Sequence, residues 1–467
     1  MLFPTFQFLI FFCITFTVYW CLKKHRLRMG WLLFASCFFY MSWNPWLILL
    51  ILFSAGIDFV AAQALEGART SWLRRSILIA SIGTNLSLLA YFKYANFFLD
   101  SAGEALGWLG IEWAHPVLKA TLPLGISFYT FETISYMVDV YTGRSKAVRN
   151  PLDYAVFILF FPHLIAGPIV RPRDFLPQLG RTKRWDWDRG YLGARFFLLG
   201  FCKKAIIADR LAEVVDPVFA DPAAFGSPAV WLAVLGYAVQ IYFDFSGYSD
   251  MAVGIAHTLG FKLPENFRWP YLAVNLADFW RRWHISLSTW LRDYLYLPLG
   301  GNRRGTLRTY CNLIVVMLLG GLWHGASWTF VAWGLYHGVL LAVHRAVPWP
   351  EFLGKAIFRP VRVLSTFLLV SVGWVFFRAE TFAGAGTILG RLVAASDGKV
   401  IAPGGVILVL AALLLTFGGG LVSSAVPLEK VERRIPVSLM GAALAVVVLV
   451  ALVLFPQDSK AFIYFQF

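Results

Sequence analysis

His324 stands in the run LGGLWHGASW, residues 319–328, among glycines and apolar side chains. A titratable ring in such surroundings is hard to explain by packing and counts first as a functional group. Neutral imidazole near its own pKa can take a proton from a hydroxyl, so general-base chemistry is the leading role. Gly320, Gly321 and Gly325 remove side chains around the ring and let a second backbone or a ligand approach. A metal site is the rival reading. No two of the eight histidines are spaced i, i+4, and there is no HExxH pattern or Cys/His cluster. On one continuous helix, His324 and His337 would lie about 20 Å apart at ~1.5 Å rise per residue. No metal is expected. Serine catalysis has no GxSxG elbow to rest on, and no glycine-rich phosphate loop is present.

A second histidine lies in DFWRRWHISLSTWLRDYL, Asp278–Leu295. At the helical period, Phe279, Trp280, Trp283, Leu287, Trp290, Leu291, Tyr294 and Leu295 share one face, and Asp278, Arg281, Arg282, Thr289, Arg292 and Asp293 the other. The expectation is an amphipathic helix too charged to span a membrane, lying at an interface or packed into a bundle. His284 falls on its apolar side; Ile285 is the one residue that violates the split. His25 and His115 sit in or near loops and are set aside. His163, His257, His337 and His344 read as hydrogen-bonded structural residues.

The elements that must position these rings are apolar. The chain has 467 residues, 59% hydrophobic and 14% charged, against about 45–50% and 25% in soluble domains. The excess is spread over runs of roughly 20 residues, enough to cross about 30 Å of hydrocarbon. The reading is an all-α polytopic protein, one membrane domain over residues 1–467, with roughly 11–12 spans plus amphipathic and re-entrant helices. Asn44-Pro45 should split the run Trp31–Ala62 in two, and the runs Tyr154–Ile169 and Tyr191–Ile207 are short or charged enough that one could be re-entrant. The net charge of +15 is carried by short loops between apolar runs. That is the positive-inside pattern, and no basic face joins the loops, so nucleic acid is not expected as a partner. The five cysteines are scattered and read as small hydrophobes.

The first run, Phe3 to Leu22, lacks the features of a cleavable signal. Lys23, Lys24, Arg26 and Arg28 follow it, which places that loop in the cytoplasm and the N-terminus outside. The basic cluster Lys430–Arg434 before the final run puts the C-terminus outside as well. The tail PQDSKAFIYFQF, residues 456–467, is too aromatic to lie free in water; an aromatic belt at the membrane surface would explain it.

The segments PLGISFYTFETISYMVDVY (123–141), FFPHLIAGPIVRPRDFLPQL (160–179), YFDFSGYSDMAVG (242–254), the long block 266–305 with RRWHIS, and LWHGASWTFVAWGLYHG (322–338) resemble the membrane-bound O-acyltransferase (MBOAT) family. The likeness is strongest to its bacterial branch of alginate O-acetyltransferases, related to the D-alanyl transfer protein of teichoic acids. The core block is 266–338. The resemblance implies acyl transfer, most simply acetyl, from a cytoplasmic thioester donor to hydroxyls of an exported polysaccharide such as alginate. It implies no tightly bound cofactor, with acetyl-CoA or an acylated carrier protein as donor. It makes His324 the acyl-transfer histidine and His284 the family's second histidine, at a position where other members often carry Asn or Asp. Trp280, Trp283 and Trp323 would line a narrow passage. Tyr464 in the aromatic tail would be an acyl relay to an extracytoplasmic SGNH-type acetyltransferase or esterase, within a polysaccharide export complex. The location implied is a bacterial inner membrane. A transporter or flippase without acyl chemistry is the main alternative, suited by Asp58, Asp139 and Asp244 in apolar segments. A structural subunit of an export complex would leave His324 dispensable.

Overall fold

The computed structural model describes residues 1–113, 116–118, 121–165, 167–348 and 350–425. His115, the run Pro436–Phe455, the basic cluster 430–434 and Tyr464 lie outside them. The described residues are helical, with one isolated bridge between Phe225 and Lys399. Among them, six helices are long and apolar enough to cross a membrane: Leu47–Gly67, Ser71–Trp108, Ser227–Thr258, Thr306–His324, Ala356–Arg378 and Pro403–Ala425. Other apolar runs form shorter helices. The first is the 16-residue helix Phe6–Cys21, capped by the Thr5 hydroxyl on the Phe8 N–H. Helices His25–Met41 and Leu47–Gly67 flank Asn44-Pro45, as the proline requires. The run Tyr154–Ile169 breaks into Pro151–Leu159 and the single turn Phe161–Leu164, with Pro162 starting the second piece.

The chain divides into two compact units: Met1–Phe197 with Ala252–Pro264, and Leu198–Met251 with the described residues from Glu265 onward. The first unit shows how apolar helices tolerate buried acids. Asp58 is fully buried and accepts from the Ser81 hydroxyl at 2.5 Å and from the Asn85 amide at 2.9 Å. Ser54 donates in turn to the Asn85 carbonyl at 2.5 Å. The carboxylate thus ties Leu47–Gly67 to Ser71–Leu89, in a medium that offers no competing water. Glu132 accepts from the Val170 backbone N–H at 3.2 Å and lies 3.1 Å from His163 Nδ1, which holds the loop after Phe161–Leu164 against the helix Ile126–Tyr141. Asp139 lies 4.0 Å from Arg144.

In the second unit, Asp244 pairs with Lys204 at 2.7 Å, and the same ammonium donates to Asp209 at 2.7 Å. The three acidic residues that suited a transporter are therefore engaged by polar groups of their own unit. The helices Thr306–His324 and Trp328–Ala346 form a hairpin whose backbones touch at glycines. A Cβ on Gly321 would lie 2.2 Å from the Phe330 carbonyl, one on Gly334 2.4 Å from that of Met317, and one on Gly338 2.8 Å from Ile314 Cα. Small residues at such a crossing let helices approach to backbone contact. Tryptophans fill the interior: Trp283 and Trp333 pack on Trp374 at 4.9 and 5.8 Å, and the Trp374 indole donates to the Tyr271 hydroxyl at 3.1 Å.

The Asp58 clamp gives a first expectation. Asp58→Ala strands the Ser81 hydroxyl, at about 1–3 kcal/mol for a buried group left unpaired, and leaves the Asn85 amide only the Ser81 carbonyl, at 3.0 Å, as acceptor. The thermal midpoint in detergent should fall and the folded yield with it, while catalytic activity per folded molecule is retained. An activity loss at an unchanged midpoint would instead give Asp58 a direct functional role.

Candidate active site

The predicted amphipathic helix is not continuous. Leu276–Trp280 is one short helix and Ile285–Leu291 another, followed by a wider π turn over Arg292–Tyr296. The chain turns between them, and His284 sits at the turn with φ +41° and ψ +56°. Ile285, the residue that broke the helical face pattern, is the first residue after the break. A left-handed backbone at a non-glycine residue costs about 1–3 kcal/mol and persists only where the surroundings enforce it.

Asn266 enforces it. Its backbone carbonyl accepts from the Ile285 N–H at 2.9 Å, and Arg268 N–H donates to the Arg282 carbonyl at 2.9 Å, so the strand-like piece 266–268 lies along the turn. The Asn266 side-chain oxygen accepts from the Ser286 backbone N–H at 3.2 Å and the Ser286 hydroxyl at 2.9 Å. The same oxygen lies 3.2 Å from His284 Nδ1. The Asn266 amide nitrogen donates onward to the Ser249 hydroxyl at 3.2 Å. Only an oxygen can receive the Ser286 N–H, so the amide orientation is fixed, and Nδ1 of His284 must be the protonated nitrogen. That leaves Nε2 with its lone pair. Nε2 is buried and has no hydrogen-bond partner among the described residues. Burial pushes the His284 pKa well below the ordinary imidazole value, which keeps the ring neutral at physiological pH.

His324 is the last residue of the helix Thr306–His324, and the chain breaks there because Gly325 is extended and Ser327 caps the next helix through Thr329 N–H. The ring is 4% exposed and is walled by Trp323, Trp333 and Phe377 at 5.0, 5.1 and 5.2 Å. Its centroid lies 6.4 Å from that of His284. The two histidines, 40 positions apart by their numbers, thus face one small space inside one unit. Gly325 is required at the edge of it, since a Cβ there would lie 2.2 Å from the Phe330 ring, and Phe330 packs on Phe377 at 4.9 Å.

The other predicted residues divide. Trp323 touches both histidines, at 5.0 Å from His324 and 6.1 Å from His284. Trp283 is buried between Phe267 at 5.0 Å and Trp374 at 4.9 Å. Trp280 packs on Trp333 and His337, at 5.7 and 5.2 Å. His337 does not continue the helix of His324. The break at Gly325 folds it back, so Trp333 bridges the two rings at 5.1 and 5.0 Å rather than their being separated along one axis. Sequence reasoning missed Asn266, although it opens the core block, and took His337 for a hydrogen-bonded structural residue. The triplet Tyr336-His337-Gly338 echoes Trp323-His324-Gly325 and was a usable signal. Among the described residues no group of His, Cys, Asp or Glu side chains is assembled that could hold a metal.

The family model for MBOAT, the membrane-bound O-acyltransferase family, matches residues 144–348, which contain both histidines. A Pseudomonas putida protein named as a probable alginate O-acetylase is 45% identical over 85% of this chain and 81% of its own. The chain belongs to the MBOAT family. It is a multi-pass membrane acyltransferase. The peptidoglycan O-acetyltransferase of Helicobacter pylori is 39% identical over 78% of this chain and 73% of its own. The teichoic acid D-alanyltransferase of Bacillus subtilis is 33% identical over 49% of this chain and 60% of its own.

The Asn266 side chain supplies the next expectation. Asn266→Ala leaves the Ser286 N–H and His284 Nδ1–H without an acceptor and releases the strained turn. Acyl transfer should fall more than about tenfold, with a lower thermal midpoint. Asn266→Asp keeps the oxygen acceptor and should restore the midpoint better than Ala does. Equal midpoints for the two variants would count against the oxygen as the clamp.

Proposed function

We propose that this acyltransferase moves an acetyl group from a cytoplasmic thioester, acetyl-CoA in the simplest case, to hydroxyls of an exported polysaccharide. The observation that carries the reading is the pair of buried imidazoles, 6.4 Å apart, one of them held in the tautomer that offers its Nε2 lone pair. His324 acts as general base. It takes the proton of an attacking hydroxyl as the oxygen bonds to the acyl carbon, then returns that proton to the departing thiolate as the C–S bond breaks. Neutral His284, across the space, keeps its Nε2 lone pair for a second hydrogen-bond donor of the bound reactants, since the one proton of the attacking hydroxyl goes to His324. Trp323, Trp333 and Phe377 keep water out, so the thioester is not lost to hydrolysis.

The names of the relatives support an acetylated glycan. A uronic-acid polymer of the alginate type is the first candidate for the polysaccharide. Peptidoglycan is the second, favoured by the Helicobacter relative. The setting we propose is a bacterial inner membrane with both termini outside. There the chain works with an extracytoplasmic SGNH-type transferase and a polysaccharide export complex, and Tyr464 relays the acyl group. A phenolic ester suits such a relay, because the phenol is a fair leaving group with pKa about 10.

His324→Ala at normal membrane abundance should lower ester-linked acetyl on the exported polymer by roughly 100-fold or more. Unchanged acetylation would end the catalytic assignment and return the transporter or structural-subunit reading. For the relay, intact-mass analysis of the C-terminal peptide after donor loading should show one acyl group on Tyr464, absent in Tyr464→Phe. Full polymer acetylation by Tyr464→Phe would remove that step.

A further inference from the structure

Beyond the two histidines, the same unit holds a group of buried polar atoms that nothing in it satisfies. His337 is fully buried, and neither ring nitrogen has a hydrogen-bond partner among the described residues. The indole N–H groups of Trp280 and Trp333 are buried and without partner in the same sense. The three rings form one cluster, with centroids 5.2 Å apart for Trp280 and His337, 5.0 Å for Trp333 and His337, and 5.7 Å for the two tryptophans. Trp333 meets the His324 ring at 5.1 Å. Folded proteins leave few buried donors unused, and such groups mark a catalytic role, strain or a missing guest. An indole N–H can only donate. A guest that satisfies two of them must be an acceptor.

We propose that Trp280, Trp333 and His337 form a pocket for a neutral oxygen acceptor, the carbonyl oxygen of the acyl group presented to His324. The proposal rests on the acyl-transfer reading above and adds the group that receives the developing charge. As the acceptor hydroxyl attacks, a C–O bond forms and the carbonyl π pair moves onto the oxygen, while the hydroxyl proton passes to His324. Collapse returns that pair, expels the thiolate and delivers the proton to sulfur. Between the two steps the oxygen is an anion, and the indole N–H groups with the His337 N–H are the donors beside it. Donors fixed in a water-free site stabilise such an oxygen without reorganising. Gly373 leaves one side of His337 open: a Cβ there would lie 2.7 Å from Nε2 and would displace the ring.

The test uses the full chain in proteoliposomes with acetyl-CoA as donor and a soluble uronic-acid oligosaccharide as acceptor, reading thiol release, together with thermal midpoints in detergent. Trp333→Phe and Trp280→Phe delete the N–H and keep an aromatic ring. Because these N–H groups bond no protein atom among the described residues, the midpoint should hold or rise. The expected result is a roughly 100-fold loss of kcat for Trp333→Phe with little change in the donor KM, and a loss in the same direction for Trp280→Phe and Gly373→Ala. An unchanged kcat would overturn the pocket, and so would activity falling only in step with the midpoint. The first outcome removes the indole N–H groups from the reaction, and the second leaves them a packing role. If the wild-type protein releases no thiol from acetyl-CoA or from an acylated carrier protein, the acyl-transfer reading fails and the pocket with it. If wild type and variants turn over alike, the pocket alone fails.

Discussion

One carboxamide oxygen, that of Asn266, receives three donors in a space that admits no solvent. It takes the Ser286 N–H, the Ser286 hydroxyl and the Nδ1–H of His284. Each of these would be costly to bury unpaired, and together they over-determine the turn between the two halves of the charged segment. The consequences run outward. The turn sets the direction of His284, the acceptor sets its tautomer, and the tautomer leaves Nε2 with the lone pair. Proton chemistry here follows from hydrogen-bond accounting in an apolar interior, where polar groups find partners in the protein or in a ligand.

The same accounting separates scaffold from site. Asp58, Glu132 and Asp244 are acids at depths where a bare charge could not survive, and each is answered by hydroxyl, amide, imidazole or ammonium groups of its own unit. They bind elements together. Around His324 the pattern is reversed. Rings of Trp, Phe and His crowd the space, while donors and acceptors are left over. Three of the rings whose polar atoms are left open, Trp280, Trp333 and His337, sit together beside His324, and that gathering is what marks the enclosure as a place for a ligand.

Much of this was legible in the sequence. The apolar runs and the Asn44-Pro45 break follow from hydrocarbon thickness and proline geometry, and His324 stood out because glycines surround it. The charged segment was read as one helix because, of the residues assigned to a face in Asp278–Leu295, Ile285 alone violated the pattern. The exception, Ile285, was the fold's own mark. Helical periodicity averages over neighbours and cannot register a single residue thrown into a left-handed conformation. Asn266 was invisible for a different reason: its effect comes from where its oxygen lies, eighteen positions upstream by number, and no local pattern carries that. His337 was read as hydrogen-bonded from its apolar surroundings, but neither of its ring nitrogens has a hydrogen-bond partner among the described residues.

The backbone at residue 284 also limits what can be exchanged there before any chemistry is considered. Besides glycine, the side chains that enter the left-handed region with some frequency are Asn, Asp and His. Those are the residue types the family resemblance places at this position. Variation at residue 284 is therefore filtered first by a dihedral angle. A lineage can trade an imidazole for an amide or a carboxylate, and with it the acyl chemistry it favours, without rebuilding the turn. A β-branched residue would have to unmake the turn to enter.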